Sequence, residues 1–291
     1  MGSIGEEMEP FVEHIREENQ PQLFELKPWI LAHPDLSAGF TGRDGGVSQI
    51  PYNSLNLALH VWDDPEAVLE NRRKVADSLG FRMESWTCGE QTHGSQVAVV
   101  TAADAGRGRM DRASAFQETD AMVTNVPGIL LTSFYADCVP LYFFDPVYRV
   151  VGIAHAGWRG TVKEIARKTI EVMQQTYGSI PSELYTAIGP SIGDCCYEVD
   201  EAVMTHVRPL IENVSSRDGE DLAYKHSTEQ GRFMLNLKEL NRMIMIKAGI
   251  LPSHIECTTW CTSTNCDLFF SYRKGNGQTG RMASWIGLKE R

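Results

Sequence analysis

The feature that most constrains this chain is a set of three apolar segments in close succession, interrupted by chemically distinctive residues. Gly128 to Tyr135, Val139 to Phe144 and Tyr148 to Ala154 are rich in Leu, Ile, Val, Phe and Tyr, a composition that predicts buried strands. Asp145-Pro146 is turn chemistry, so the second and third segments predict a hairpin. Cys138 starts one arm and His155 ends the other, which places a thiol and an imidazole at the same end of one sheet. Thr161 is then predicted to cap a helix, with Glu164 three residues on completing a capping box. Val162, Ile165, Ala166, Ile170, Met173 and Tyr177 fall on one face of that helix, and Gly178 ends it.

Strands and helices are mixed along the rest of the chain. Asp64-Pro65 opens a helix whose apolar set Val68, Leu69, Val75, Ala76 and Leu79 runs to Gly80. Its other face carries Asn71, Arg72 and Arg73, read on their own as a solvated surface. Leu184 to Ile188 reads as a strand, while Asp200 and Asn236 cap two further helices. Residues 101 to 119 read as a mobile loop, and Ser215 to Gly231 as a charged one. Residues 1–22 are acidic and polar and predict a frayed arm without chemistry. With no repeat and no low-complexity linker, residues 23–291 predict a single α/β domain of the mixed α+β kind, with mixed sheets covered by helices.

A formal charge of -11 with no dense basic patch excludes nucleic acid and anionic membrane as expected partners. Seven cysteines, no signal peptide and no apolar run long enough to span a bilayer point to a reducing cytoplasm. The thiols are then free or bind metal.

Three chemical readings of the central stretch stand side by side. His93, in the polar turn Glu90-Gln91-Thr92-His93-Gly94, together with Cys138 and His155 offers the donors of a zinc site whose fourth position stays open. Against it stands a buried structural cysteine with two surface histidines. Cys138 and His155 alone would make a nucleophile and its general base for acyl transfer, with backbone amides around Gly157 to Gly160 as an oxyanion hole. The helix start near Thr161, with Arg159 beside it, would hold a phosphate, unless Arg159 pairs with an acidic neighbour. Cys257, Cys261 and Cys266, even with Cys195 and Cys196, lack the spacing of two tight metal knuckles and read as free, partly buried thiols.

Gln91-Thr92-His93-Gly94, Ala136-Asp137-Cys138-Val139-Pro140, His155-Ala156-Gly157-Trp158-Arg159-Gly160-Thr161 and Ala187-Ile188-Gly189-Pro190-Ser191-Ile192-Gly193 together resemble one family. It is the laccase-domain family, long labelled multicopper polyphenol oxidase and now understood as zinc-dependent purine nucleoside phosphorylases. The resemblance runs from Ser54-Leu55-Asn56-Leu57 to Thr279-Gly280-Arg281. It implies that His93, Cys138 and His155 bind one zinc ion. It also implies phosphorolysis of adenosine, inosine, guanosine and S-methyl-5'-thioadenosine, with accompanying adenosine deaminase activity. The implied fold is similar to that of the catalytic domain of cytotoxic necrotizing factors, which work with a Cys/His pair, so a metal-free Cys138/His155 hydrolase or deamidase is the alternative. Copper fits poorly: a laccase needs about ten histidines in paired motifs, and this chain has 8, scattered.

Under this reading the partners are purine nucleosides and inorganic phosphate, and the active form is a monomer or a small homo-oligomer. Phosphate is expected on Arg159, supported by Arg72 or Arg273, and the ribose hydroxyls on Asn56, Asn71 and Gln91. Asp137 is expected either to shuttle a proton or to orient a histidine.

Overall fold

The computed structural model describes residues 9–212 and 223–290. Two six-stranded mixed sheets and one small sheet make up the β structure of these residues. The first large sheet contains β1 (Phe11–Glu13), β2 (Leu23–Leu26), β3 (Leu36–Thr41), β4 (Trp86–Cys88), β7 (Leu130–Tyr135) and β15 (Met282–Leu288), in the order β1-β2-β3-β15-β7-β4. The second contains β5 (Val97–Val99), β6 (Ala121–Thr124), β8 (Val139–Asp145), β9 (Val150–Ala156), β10 (Tyr185–Ile188) and β14 (Ile255–Cys257), in the order β14-β10-β8-β9-β6-β5. β11 (Glu198–Asp200), β12 (Tyr224–His226) and β13 (Arg232–Leu235) form the small antiparallel sheet.

Alternation along the strands sorts side chains into layers. Tyr142, Phe144, Val151, Ile153, Leu131, Tyr135 and Ile286 fill one core between the two large sheets. Their neighbours Leu141, Phe143, Val150 and Ala154 point the other way, into a second core built with the helices α4 (Ile165–Tyr177), α5 (Glu201–Glu212) and α6 (Leu237–Lys247). On the far side of the first sheet, Leu130, Phe134 and Trp285 pack against Val75, Ala76 and Leu79 from the region of α2 (Pro65–Ser78), the helix that follows the short α1 (Lys27–Ala32) along the chain. The molecule is thus a helix–sheet–sheet–helix stack. The predicted hairpin is β8–β9, with Asp145 paired to Val150 and Val139 to Ala156. Asp145 Oδ1 closes its turn by accepting from the amides of Val147 and Tyr148, both at 2.9 Å.

Four expectations need correction. The arm is tied down from residue 9 onward: Phe11 is buried, β1 pairs with β2, and the Glu9 carboxylate accepts from the Thr258 hydroxyl at 2.7 Å and the Thr259 amide at 2.6 Å. Residues 1–8 lie outside the described residues. The stretch 101–119 is held rather than loose, because Thr101 and Asp104 form a capping box and Arg107 lies over the Phe116 ring. Arg72, from α2, reaches the carbonyls of Gly108 and Arg109 in the same stretch. Residues 215–222 of the expected charged loop lie outside the described residues, while Tyr224–His226 form an edge strand.

The fourth correction concerns the helix after His155. Its first turns form a separate short helix, α3 (Trp158–Val162), whose N-cap is Gly157. Thr161 therefore sits inside α3, where its hydroxyl accepts from Asn241 at 3.0 Å. Glu164 has φ 54°, a left-handed conformation that breaks the helix before α4 begins, and its carboxylate pairs with Arg167 instead of reaching back to a cap.

Candidate metal centre

His155 lies near the end of β9 with its ring turned into the space between the two large sheets, 5.4 Å from the Tyr135 ring. Cys138 immediately precedes β8 at the same end, because Pro140 pairs with His155. His93 comes from the turn before β5, with φ 58°, and meets the other two from outside. The ligand atoms of the three side chains lie within 4.8 Å of one another, and Cys138 Sγ is 3.9 Å from His93 Nε2. Burial is graded across the group: His155 is buried, Cys138 half-buried and His93 exposed. The centre is therefore rooted in the core and open to solvent on one side.

One carboxylate organises two of the three. Asp120, just before β6, accepts from His155 Nδ1 at 2.8 Å, and its backbone carbonyl accepts the His155 amide at 2.7 Å. The same carboxylate accepts from the amides of Thr92, His93 and Gly94 at 3.1, 3.0 and 2.7 Å, which fixes the turn that presents His93. Occupying Nδ1 leaves Nε2 of His155 as the nitrogen available to a ligand, the arrangement common to metal-binding histidines. Burial opposes ionisation of the Cys138 thiol, but His155 and His93 outweigh it and bring it down to about 6. Burial likewise opposes charge on His155, yet the Cys138 sulfur and Asp120 raise it to about 9. Without a metal, the pair is a thiolate beside an imidazolium.

Gly157 leaves the centre its room. A Cβ at this position would stand 2.9 Å from Cys138 Sγ and 3.0 Å from the His93 ring, closer than atoms pack. Two nitrogens and one thiolate with an open face suit a single ion with one exchangeable position. The donor set therefore fits one metal ion.

The family model described as multi-copper polyphenol oxidoreductase laccase matches residues 37–289. The chain belongs to this family. A Bacillus subtilis protein named purine nucleoside phosphorylase YlmD is 44% identical over 273 residues, covering 93% of this chain and 96% of its own length. The crystal structure of YlmD from Geobacillus stearothermophilus superposes with a TM-score of 0.87 at 40% identity, covering 97% of this chain and 100% of that one. The structure of a Bacillus licheniformis protein, YfiH, superposes with a TM-score of 0.87 at 39% identity, covering 96% and 99%.

The remaining expected site residues divide sharply. Arg159 is exposed, directly follows the Gly157-Trp158 step beside the centre, and stacks over the Trp158 ring at 4.9 Å. Among the described residues it has no carboxylate partner, so the expected acidic pairing is absent there. Asn56, Asn71 and Arg72, by contrast, are 0, 0 and 1% exposed, which corrects the surface reading of Asn71 and Arg72 and the substrate-contact reading of all three. Arg72 donates to the carbonyls of Leu57, Gly108 and Arg109, each at 2.8 Å. Asn71 ties Val47, Ser48, Ser54 and Asn56 together, and Asn56 Oδ1 accepts from the Arg281 amide at 2.9 Å. Gln91 spends both ends of its amide on the Phe134 backbone, at 2.9 and 2.8 Å. Arg273 donates to the carbonyls of Cys196 and Glu198 while lying over Tyr197.

Asp137 is buried with φ 86°, and its two oxygens accept from the Thr262 hydroxyl and the Arg273 amide, both at 2.7 Å. It anchors loops; the acid that orients a histidine is Asp120. Sequence reasoning missed the parts played by Asp120, Gly157 and Arg281, the last a half-buried cation close enough to Cys138 and Asp137 for them to favour its charge. Gly157 stands in the His155-to-Thr161 motif and was legible there as a close approach; nothing local marked Asp120.

Proposed function

We propose that this protein is a zinc-dependent purine nucleoside phosphorylase acting on adenosine, inosine, guanosine and S-methyl-5'-thioadenosine, with accompanying deamination of adenosine. The observation that carries the reading is the convergence of His93, Cys138 and His155 around one open position, with His155 oriented by Asp120. It occurs in a chain 44% identical to a named purine nucleoside phosphorylase over nearly its whole length. Two imidazoles and one thiolate favour zinc over the paired-histidine clusters of a copper relay.

Phosphorolysis breaks the bond between C1′ and the purine nitrogen and forms one from C1′ to a phosphate oxygen, giving ribose 1-phosphate and free base. Bound zinc would supply Lewis acidity at the open face. Asp120 keeps His155 Nδ1–H engaged, so Nε2 keeps one direction and one tautomer. Arg159, uncommitted to any described carboxylate, offers a planar pair of donors to phosphate oxygens. The inter-sheet core behind His155 excludes water from one side of the reacting atoms. Arg72, Asn71, Asn56 and Gln91 serve this chemistry only by fixing the scaffold around it.

The test is chromatography of adenosine incubated with the protein, with and without phosphate. Adenine that forms only with phosphate and disappears in Cys138→Ala is the expected result. Inosine forming without phosphate measures deamination at the same centre. A second reading, a Cys138/His155 hydrolase, is favoured by the thiolate–imidazolium pair with Asp120 as third member. Hydrolase activity would survive chelation and be lost to a thiol alkylator, whereas the phosphorylase would be lost to both.

A further inference from the structure

The adjacent Cys195 and Cys196 and the distant Cys261, read in the sequence as free thiols, meet in space. Cys195 and Cys196 lie in the turn after β10, and Cys261 lies on a segment bridged to Ser191. Cys195 Sγ is 3.5 Å from Cys196 Sγ and 3.6 Å from Cys261 Sγ, and all three sulfurs fall within 4.8 Å of one another. We propose that Cys195, Cys196 and Cys261 form a second, all-thiolate site that binds a thiophilic cation of the zinc class, separate from the His93/Cys138/His155 centre.

Geometry makes the first argument. A zinc–sulfur bond of about 2.3 Å in a tetrahedron sets neighbouring sulfurs ~3.8 Å apart, close to the two shorter separations here. Number makes the second. Cys195 is about equally near both partners, so any one disulfide would leave a third thiol pressed against it, whereas one cation uses all three. Access makes the third: Cys261 is buried, Cys196 half-buried and Cys195 exposed, so an ion can enter from solvent toward an internal ligand.

At the buried Cys261 a backbone donor supports negative sulfur. The Gly193 amide donates to Cys261 Sγ at 3.2 Å. Gly193 also clears the space, since a Cβ there would lie 3.3 Å from Cys195 Sγ and 3.4 Å from Cys261 Sγ. The turn is set by the amides of Cys196 and Tyr197, which both donate to the Gly193 carbonyl at 3.1 Å. Binding replaces each S–H bond by a sulfur–metal bond, and the released protons go to solvent.

The loops of this cluster are the ones Asp137 holds. Thr262, next to Cys261, donates to Asp137 Oδ1, and Ile192 donates to the Asp137 carbonyl at 2.9 Å. Arg273 donates to Asp137 Oδ2 through its amide and to the Cys196 carbonyl through its guanidinium.

The test uses the reduced full-length protein, stripped of metal and then equilibrated with Zn2+ before metal analysis, with Cd2+ titration reporting thiolate-to-metal absorption. Cys138→Ala, which disables the first centre, should still bind one equivalent of Zn2+ and show the cadmium band. Adding Cys195→Ser or Cys261→Ser to that background should remove both. Because Cys195 is exposed, Cys195→Ser keeps the test valid if Cys261→Ser fails to fold. Zinc stoichiometry or a cadmium band unchanged by Cys195→Ser would overturn the proposal. So would a protein that takes up no second ion and on exposure to air loses two hydrogens by mass, the signature of a simple Cys195–Cys261 disulfide.

Discussion

Two polar constellations, both built from residues that read as functional, end up in opposite roles. At the His93/Cys138/His155 centre the side chains face one another, and their one structural debt is the bond from His155 to Asp120. Around Arg72 the side chains face backbone: three carbonyls from two loops converge on one guanidinium, whose face lies 4.7 Å from the Phe134 ring. The first leaves lone pairs and an open side. The second leaves nothing to offer, because its donors are spent and it is sealed. Polar residue type alone does not separate chemistry from scaffolding; the identity of the partner does.

Substitutions can break this comparison or sharpen it. Cys138→Ala should have the largest effect, lowering phosphorolysis by ~10³-fold or more with little change in thermal midpoint; a midpoint that collapses would mean the centre is scaffold after all. Arg72→Met should do the reverse. It strands three buried carbonyls at about 1–3 kcal/mol each, partly offset by relaxation, for a net loss of ~3–5 kcal/mol in denaturant unfolding. Activity per folded molecule should hold, and loss of activity without loss of stability would return Arg72 to the site.

Asp120→Asn should weaken metal affinity by about 10–100-fold in a competition titration, since the amide no longer holds His155 as a carboxylate does. An unchanged affinity would show that the turn amides, not the histidine, are its main business. The smallest effect is electrostatic. In metal-stripped protein, alkylation of Cys138 should fall as pH drops through about 6 and stay level above it. An ordinary thiol would still be gaining reactivity up to about 8.5. A rate that continues to climb there would contradict the thiolate–imidazolium pair.

How much of this was legible in the sequence depended on range. The β8–β9 hairpin was, because three apolar runs and Asp145-Pro146 are local signals and the short turn forces Cys138 and His155 to one end. His93 was legible as a donor in a polar turn, but only resemblance tied it to the other two, since no spacing rule carries a turn 45 residues away to the same point. Asp120 was invisible for a related reason: its place beside His155 follows from Ala121 pairing with Ala154, a contact between distant strands. Arg72 was legible and was misread. It falls three to four residues from Val68, Leu69, Val75 and Ala76, on the buried stripe of α2, and only its charge suggested solvent. The break at Glu164 had no warning, because the apolar pattern runs through it unbroken from Val162 to Tyr177.

Gly157 carries a consequence for how this sequence can vary. Its φ of -67° is open to every amino acid, so the backbone does not demand glycine. The Cys138 sulfur and the His93 ring do, by occupying the volume a side chain would need. The restriction is therefore conditional: in a background where both neighbours are trimmed to alanine, position 157 should accept alanine or serine without cost, and in the native background it should accept neither. A deep mutational map would record this as strong epistasis between a residue with no functional group and two that have them.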